Sequence, residues 1–433
     1  MRIAYLCNRY PAVSLTFILR EVRALRRLGV DVQTFAVRRA FPEHLVSAAD
    51  REECARTYAV LPPDPGALAL AHLSAAVLHP LRYLGTLGLA LRLRPRGLRG
   101  AVWQGFYFAE AIVIWRECRR RGISHIHAHF ANVATDVALL ASYFGGGRTG
   151  DWSWSFTLHG PVELYDVTRS RLPEKLRRAQ FVICISDFAR SQAMAFLEHE
   201  QWGKLRVVHC GVDPDVFRPV EHSNEAMPAR DLHVLSVGRL IDLKGHALLL
   251  EAVAVARAEG VQARLTIVGD GSTRPALEAR AARLGLVDEV TFAGAVGQDD
   301  IAGFYADADI FCLASFAEGV PVVLMEAMAM EIAVIATGIA GIPELVEDGV
   351  SGLVVPPGRA DRLAAALRTL ADDPALRRAM GKAGRAKVLA EFDVAKSAAQ
   401  LRELFGSSGA SSTPSGSAAV ESVAAVGIAA DLG

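Results

Sequence analysis

Two glutamates stand on either side of a short apolar run in "EGVPVVLMEA", at Glu318 and Glu326. Glu318 follows a predicted strand, "ADIFCLAS", and Pro321 can occupy the first turn of the helix that carries Glu326. The backbone N–H groups of Val320–Val323 are then free to bind phosphate. Ionised carboxylates only accept hydrogen bonds, so sugar hydroxyls suit both of them. The spacing of the two glutamates alone is weak evidence, since an amphipathic helix with Glu326 on its solvated face would also fit; combined with Arg239, Lys244 and the "GIPE" loop it favours a nucleotide sugar as ligand.

Two cations share another predicted strand-end loop, "SVGRLIDLKG", at Arg239 and Lys244. In open parallel sheets ligands bind beyond the carboxyl ends of the strands, and two cations there suit a diphosphate. Taken alone, the loop fits a solvated surface equally well. The later "VGDGSTRPALE" is not G-x-G-x-x-G, so the sequence gives little support to a Rossmann dinucleotide site.

The elements that must position these residues alternate between strand and helix. Short apolar runs such as "RIAYLCN", "WSFTLHG" and "QFVICIS" in one half, and "LHVLSVGRL", "ARLTIVGDG" and "IAVIATG" in the other, are separated by helical stretches. This alternation predicts parallel sheets in two α/β halves, and clefts between domains are preferred ligand sites. The predicted divisions are a first domain at 1–212, a linker at 213–231, a second domain at 232–388, a C-terminal helix at 389–405 and a disordered tail at 406–433.

Composition narrows the class of protein. The 433 residues suffice for two domains, and a formal net charge of zero gives no reason to expect nucleic acid as a partner. The six cysteines form no C-x-x-C, which indicates a reducing compartment and neither a disulfide framework nor a metal site. The N-terminus "MRIAYLCNRYP" is not predicted to be a signal peptide.

The C-terminal half resembles the family-four retaining glycosyltransferases of GT-B architecture. The matching segments include "CGVDPDVFRP", "SVGRL…KG", "YADADIFCLAS", "EGVPVVLMEAMA" and "GIPELVEDGVSGLVVPPG", and they extend from about Val207 to Phe405. The N-terminal half is similar to the exopolysaccharide and colanic-acid subgroup through "RYPAVSLTFILREVRAL", "ISHIHAHFAN" and "FTLHG". The resemblance implies two Rossmann-like doubly wound domains facing a central cleft, with a C-terminal helix that returns to the first domain.

The same resemblance implies roles. Glu318 would hold hydroxyls of the donor sugar, Glu326 would hold the ribose, and His159 would face the donor sugar from the first domain. Arg239 and Lys244 would stabilise the departing diphosphate, and these two with Glu318 and His159 are the predicted catalytic residues. Neither a metal nor a cofactor is implied, only the nucleotide-sugar co-substrate. The other predicted donor-binding residues are Gly319, Val320, Pro321, Val322, Gly238 and Gly294, and the predicted acceptor side comprises Ser14, Thr16 and His129.

The chain departs from the family pattern at several points. After "EAMA" the family usually has a small residue, Gly, a variable residue and Pro, whereas Glu331 and Ala333 stand here in the Gly and Pro places. Glu331 could shift the following strand or bring a carboxylate near the donor. Leu15 replaces a Glu common in the N-terminal loop of the subgroup, which bears on acceptor handling. No acid follows the His-Gly of "HGPVELYD", where Glu163 or Asp166 could substitute.

Three histidines alternate along the predicted strand "HIHAHF" at His125, His127 and His129, so their side chains point one way. Acidic and cysteine partners do not cluster with them, so metal binding is not predicted. We expect one of them at the cleft and the others in structural roles.

A surface for membrane contact is predicted in the first domain. The run from Gly66 to Leu81 contains no Asp, Glu, Lys or Arg, and Pro80 ends it too early for a spanning helix, so we expect a core or interfacial helix. Between Arg82 and Arg121 lie nine arginines and two acidic residues, close to the aromatic "WQGFYF". This local excess predicts reversible contact with anionic lipid, against the alternative of a solvated face. The arginines singled out for this contact are Arg92, Arg94, Arg96 and Arg99.

The predicted function is transfer of a hexosyl or related sugar, without a metal, from a nucleotide sugar to a glycan or lipid-linked acceptor in polysaccharide biosynthesis. The enzyme is expected in the cytoplasm, peripheral on the inner face of the membrane. Two alternatives stay open: a nucleotide-sugar epimerase of the same fold, and a nucleotide-sugar-binding subunit that has lost catalysis. The sequence does not specify the sugar, the base, the acceptor or the oligomeric state.

Overall fold

Two parallel β-sheets organise the chain. The computed structural model describes residues 1–95, 97–147, 152–219 and 231–409. Most of the predicted linker, residues 220–230, and the predicted tail from 410 to 433 lie outside the described residues, as does Arg96. Gly406–Gly409, predicted as the start of the disordered tail, belong instead to the last helix, because the helical pattern continues through "LRELFGSSG".

The first sheet has the strand order β3-β2-β1-β4-β5-β6-β7, with every neighbouring pair parallel. Its strands are β1 Arg2–Arg9, β2 Asp31–Arg38, β3 Tyr58–Leu61, β4 His125–His129, β5 Ser153–Leu158, β6 Val182–Cys184 and β7 Leu205–Val207. The helices of this half are α1 Thr16–Arg27, α2 Ala48–Arg56, α3 Pro65–Leu78, α4 Pro80–Arg92, α5 Leu98–Arg120, α6 Val133–Gly145, α7 Pro161–Tyr165, α8 Val167–Ser170, α9 Leu172–Arg178 and α10 Asp187–Met194.

The second sheet has the strand order β10-β9-β8-β11-β12-β13, again parallel throughout. Its strands are β8 Leu232–Val237, β9 Ala263–Val268, β10 Val290–Gly294, β11 Ile310–Leu313, β12 Ala333–Thr337 and β13 Leu353–Val355. The helices that follow are α11 His246–Ala258, α12 Arg274–Arg283, α13 Ile301–Ala306, α14 Val322–Ala329, α15 Ile342–Leu345, α16 Ala360–Asp372, α17 Pro374–Glu391 and α18 Val394–Gly409.

Both sheets reverse their strand order next to the first strand of the half. The reversal lies between β1 and β4 in the first sheet and between β8 and β11 in the second. In doubly wound sheets ligands bind in the crevice at this point, beyond the carboxyl ends of the strands. The loops after β8 and β11 are the ones that carry the predicted cations and Glu318.

The last helix returns to the first half, as predicted. Ala398, Leu401 and Phe405 of α18 are buried in one core cluster with Tyr5 of β1 and Val22 of α1. Helix α1 supplies its side of this packing because its apolar residues recur at helical spacing and form one buried face. The C-terminal helix therefore belongs to the first half in space and to the second half in sequence.

The chain crosses between the halves at two places that lie side by side. The N–H of Val212 donates to the carbonyl of Phe392 at 2.9 Å, and the N–H of Val394 donates to the carbonyl of Val212 at 3.0 Å. Gly211 makes this approach possible, because a Cβ there would lie 2.4 Å from the Cα of Val394. The two crossings are thus joined by backbone hydrogen bonds.

The apolar run at 66–81 forms helix α3 and the first turn of α4, which meet at His79 and Pro80. The aromatic rings of His72, Tyr83 and Phe108 meet at centroid distances of 5.0–5.9 Å and join α3, α4 and α5. Among the helices of the described residues, none combines the length and the apolar character needed to cross a bilayer.

Candidate active site between the two halves

Glu318 and Lys244 meet, although they come from different strand-end loops. The Nζ of Lys244 lies 2.6 Å from Oε1 of Glu318, and the hydroxyl of Ser315 donates to the same oxygen at 2.7 Å. Glu318 is only 7% exposed, and the ammonium group compensates its charge. A buried carboxylate beside the end of β11 is stable because it has this partner.

Glu326 is buried in the first turns of α14 with different partners. Tyr305 donates its hydroxyl to Oε2 at 2.7 Å, and Arg20 of α1 donates Nη2 to Oε1 at 2.5 Å. Arg20 comes from the first half of the molecule, so this ion pair joins the two halves. Burial beside Glu326 raises the pKa of Tyr305 well above its usual range, which keeps the phenol protonated as a donor.

The N-terminus of α14 lies between the two carboxylates in sequence. Pro321, predicted in the first turn, is the N-cap residue, with φ −75° and ψ 119°, and the helix begins at Val322. Side chains within the described part of the chain do not cap this end. The first N–H groups of α14 are therefore available to a ligand, and such a helix end favours an anion.

Gly319 packs directly against the first half. A Cβ on Gly319 would lie 2.1 Å from the carbonyl oxygen of His159, so only glycine permits this approach. A second contact is made by Glu344 of α15, whose carboxylate accepts from the N–H groups of Asp187 and Phe188, both at 2.8 Å. A carboxylate at the N-terminus of α10 also complements the helix dipole. The "GIPE" loop thus fastens the halves together beside Gly319.

His159, at the end of β5, has both ring nitrogens turned toward the protein. Nε2 lies 2.9 Å from Nδ1 of His129, and Nδ1 lies 3.8 Å from the sulfur of Cys210. Phe17 and Phe130 flank the ring at centroid distances of 4.9 and 4.5 Å. Burial, with His129 nearby, holds the pKa of His159 well below its usual range, so the ring is neutral. To contact a donor sugar the ring must turn away from His129, and its predicted role stays a prediction.

The other two histidines of β4 lie in a ladder of hydroxyls. His125 lies 2.8 Å from both Ser153 and Ser155, and His127 lies 2.8 Å from Ser155 and 2.9 Å from Thr157. The side chains point one way, as the alternation predicted, and His129 is the one next to His159. Groups of three or more His, Cys, Asp or Glu that could hold a metal do not occur within the described residues.

Glu163 holds the two strand ends that carry these histidines. Its carboxylate accepts from the N–H groups of Ala131, His159 and Gly160. Burial raises the pKa of Glu163 to about 7, and the three N–H bonds oppose that rise. The carboxylate is used by the backbone, so Glu163 does not stand in the cleft as the missing acid. Asp166 is exposed at the end of α7.

Residues 217–387 match the family of glycosyl transferases group 1. The amylovoran biosynthesis glycosyltransferase AmsK of Erwinia amylovora is 29% identical over 425 residues, which cover 94% of this chain and 99% of AmsK. The putative colanic acid biosynthesis glycosyltransferase WcaL of Salmonella typhimurium is 29% identical over 390 residues, 85% of this chain and 90% of WcaL.

A solved structure of HepE from Anabaena, in complex with UDP-glucose, superimposes with a TM-score of 0.70 at 20% identity. The match covers 94% of this chain and 100% of HepE. The predicted two-domain GT-B fold is confirmed. The matched domain and the two relatives bear out the predicted resemblance to glycosyltransferases of exopolysaccharide biosynthesis. Lys244, Glu318 and Glu326 lie within the group 1 domain, whereas Arg20 and His159 come from the half that precedes it.

The remaining predicted residues are less closely assembled. Arg239 is exposed beside Gly238, in the loop that carries Lys244. Gly294 ends β10 and accepts from the N–H of Gly269 at 2.8 Å. On the opposite side Ser14 is exposed and Thr16 opens α1, without contact to the group 1 carboxylates among the hydrogen bonds described. The structure brings Lys244, Glu318 and Gly319 together with His159. Of the predicted acceptor residues, His129 is buried against His159, whereas Ser14 and Thr16 lie apart from this group.

Three residues of this region were not predicted from the sequence. Arg20 falls in "FILREVRAL", where a cation at helical spacing suggests a solvated face. Tyr305 has the spacing of a core aromatic residue, and His246 of α11 follows the Lys-Gly of the cation loop. Both ring nitrogens of His246 are buried without partners among the described residues, and burial lowers its pKa to about 4. The only signal for these residues was proximity in sequence to a recognised motif.

Proposed function

We propose that this chain transfers a sugar from a nucleotide-sugar donor to a glycan or lipid-linked acceptor in exopolysaccharide biosynthesis, with retention of anomeric configuration and without a metal. The names of AmsK and WcaL support the pathway class, and the complex of HepE with UDP-glucose supports the donor class. The observation that carries the proposal is the buried pair of Lys244 and Glu318 beside the open N-terminus of α14.

In this scheme the diphosphate binds at the N-terminus of α14, with Lys244 and Arg239 as its cationic partners. These charges stabilise the negative charge that develops as the bond between sugar and phosphate breaks, which is the task a metal has in other transferases. Glu318, held by Ser315 and Lys244, keeps lone pairs for the hydroxyls of the donor sugar. Glu326 binds the ribose from one turn further along α14.

The test is a product analysis with matched variants. Wild-type protein is mixed with a panel of nucleotide sugars and cell-envelope lipid, and products are identified by mass spectrometry and the anomer by NMR. Lys244→Ala is expected to lower turnover by about 100-fold, since one preorganised charge or donor is typically worth ~3 kcal/mol. Asp361→Asn, which breaks an exposed ion pair with Arg359, is the control and should leave the rate unchanged. A near-normal rate in Lys244→Ala would contradict the proposal.

Replacing Glu318 and replacing Glu326 are expected to change different kinetic constants. Glu318→Gln should mainly lower kcat, because its contacts lie beside the carbon that gains charge. Glu326→Gln should mainly raise the donor KM, because ribose contacts change little during the reaction. If both variants changed only KM, the assigned roles would be wrong. Incubation with donor alone separates the epimerase alternative, which would yield an epimer where a transferase gives slow hydrolysis.

We also propose that the enzyme acts while bound peripherally to an anionic membrane surface. Helices α3, α4 and α5 leave large apolar side chains exposed on their outer faces. On α5, Leu98, Val102 and Phe106 follow one another at intervals of four residues and are 88%, 58% and 55% exposed. The other exposed apolar side chains on these helices are Leu70, Leu73, Val77, Leu78, Leu81, Leu84, Leu91 and Trp103. An apolar surface of this extent is typical of a protein or membrane contact.

Charge favours the membrane as the partner. Arg92, Arg94 and Arg99 are exposed at the ends of α4 and α5, next to the apolar side chains. Each basic side chain near an anionic bilayer contributes about 1 kcal/mol, and salt weakens this attraction. A lipid-linked acceptor would make such a placement useful.

Vesicle flotation tests this contact. Binding should require anionic lipid, weaken with salt, and decrease when Arg92, Arg94 and Arg99 become Ser or when Leu73 and Val102 become Ser. The matched control changes Val287 and Val350 to Ser, since both are exposed apolar residues of the second half. Equal recovery with neutral and anionic vesicles, or none with either, would refute membrane contact and leave the transferase proposal intact.

A further inference from the structure

Arg20 of α1 extends from the first half to the group 1 domain. Its Nη2 donates to Oε1 of Glu326 at 2.5 Å and to Oε1 of Gln298, and its guanidinium lies 4.9 Å from the ring centre of Phe217. The side chain is only 11% exposed. All three partners belong to the second half, so Arg20 is fixed beside the carboxylate assigned to the ribose.

One end of the guanidinium has no partner. Nη1 of Arg20 is buried and makes no hydrogen bond to any residue that the structure describes. A buried N–H donor on a charged group is costly to leave unpaired, and a guanidinium offers five donors in a fixed plane. With Nη2 held by Glu326 and Gln298, the direction of Nη1 is set before any ligand arrives.

The ligand that suits this donor is the nucleotide itself. Ribose and phosphate oxygens are acceptors, and arginine binds phosphate and hydroxyl oxygens through directed N–H bonds. We propose that Arg20 is a donor-binding residue supplied by the first half, with Nη1 donating to an oxygen of the ribose–phosphate part of the nucleotide. This inference rests on the proposed nucleotide-sugar function.

A second reading of the contact predicts the opposite result. If Arg20 only fastened the halves together by occupying the ribose carboxylate, its removal would free Glu326 and leave nucleotide affinity equal or improved. The two readings therefore differ in the sign of the change in affinity.

Isothermal titration with UDP, GDP and ADP identifies the nucleotide that the wild-type protein binds, and that nucleotide is the probe. Arg20→Gln is expected to raise its Kd at least tenfold, and Arg20→Lys, which keeps the charge, should restore part of the affinity. Arg23→Gln is the matched control, because Arg23 lies on the same helix with its side chain 47% exposed. Far-UV circular dichroism verifies that each variant is folded.

A double variant separates direct from indirect action. In the Glu326→Gln background, Arg20→Gln should still weaken nucleotide binding if Nη1 contacts the ligand. Unchanged or tighter binding in Arg20→Gln, or no further loss in the double variant, would overturn the inference. Absence of nucleotide binding by the wild-type protein would instead overturn the proposed function.

Discussion

Replacing Glu331 with glycine is expected to stabilise the second half of the molecule. Glu331 follows Met330, the C-cap residue of α14, and has φ +60°, in the left-handed region. Its N–H donates to Met328 at 3.0 Å and the N–H of Ile332 donates to Ala327 at 3.1 Å, the two bonds of a Schellman motif. A non-glycine residue in this conformation destabilises the folded state by roughly 1–2 kcal/mol. Glycine removes this strain, but the greater conformational entropy of its unfolded chain offsets about 0.5–1 kcal/mol of the gain. Glu331→Gly should therefore raise the free energy of unfolding by about 0.5–1 kcal/mol.

The reverse substitution, from glycine to a residue with a side chain, can be tested at the end of α12. Gly285 there has φ +69° and the same pair of bonds, from Gly285 to Ala282 and from Leu286 to Ala281. Apart from its own chain neighbours, no atom of the described residues lies within 4 Å of the position its Cβ would take, so Gly285→Ala tests backbone strain without a clash. It should destabilise by about 1 kcal/mol, whereas Glu331→Ala, which removes the carboxylate and keeps the strain, should change little.

Urea unfolding followed by circular dichroism at 222 nm is the assay. All five tryptophans precede Val212, so tryptophan fluorescence would follow only the first half. If Glu331→Gly were neutral or destabilising while Gly285→Ala behaved as expected, the Glu331 side chain must make a favourable interaction that outweighs its strain. Donor KM should not change, because Glu331 lies at the end of α14 opposite the proposed phosphate-binding end.

Three further changes test other parts of the structure. Burial raises the pKa of Glu21 from 4.5 to about 7, so its contribution to stability is complete below pH 4.5 and is lost as pH rises through 7. Glu21→Gln keeps an acceptor for the Tyr5 hydroxyl and does not titrate. In urea titrations it should reduce the loss of stability between pH 5 and pH 8 by on the order of 3 kcal/mol. Gly319→Ala should lower kcat with little change in stability, since its Cβ would collide with the carbonyl of His159; unchanged turnover would show that the halves need not approach this closely. Phe405→Ala should destabilise by about 3–5 kcal/mol by emptying the α18 core; a loss under 1 kcal/mol would show that α18 does not stabilise the first half.

The two sheets were predictable because parallel strands buried on both faces appear as short apolar runs between helices. Strand β3 was not predicted from the sequence, because Tyr58–Leu61 has only four residues and lies next to a proline. The sequence left open whether Glu331 shifts the next strand or brings a carboxylate near the donor, and the structure shows no shift of the strand. β12 begins at Ala333 and pairs in register with β11, because Glu331 absorbs the helix end by adopting a positive φ.

The residues of the candidate site also divide into those that local sequence predicts and those that it does not. Residues within one motif were placed by local pattern alone, Glu318 after a strand and Glu326 on the helix that follows. Contacts between the halves were not predictable, because nothing in local sequence indicates which solvated-looking side chain of α1 will meet α14. Arg20 and Glu344 therefore emerged only from the assembled structure. The orientation of the His159 ring was likewise decided by His129, which neighbours β5 in the sheet and not in the sequence.

The paired crossings at Val212 and at Phe392–Val394 have a mechanical consequence. Two connections that run side by side and share hydrogen bonds act as a single hinge, so they leave the halves essentially one rotational degree of freedom. Displacement then grows with distance from that hinge, and a small rotation there becomes a large separation where Gly319 and Glu344 contact the first half. Because α18 begins beyond the hinge and packs on α1, it moves with the first half, and the rotation does not disturb its packing.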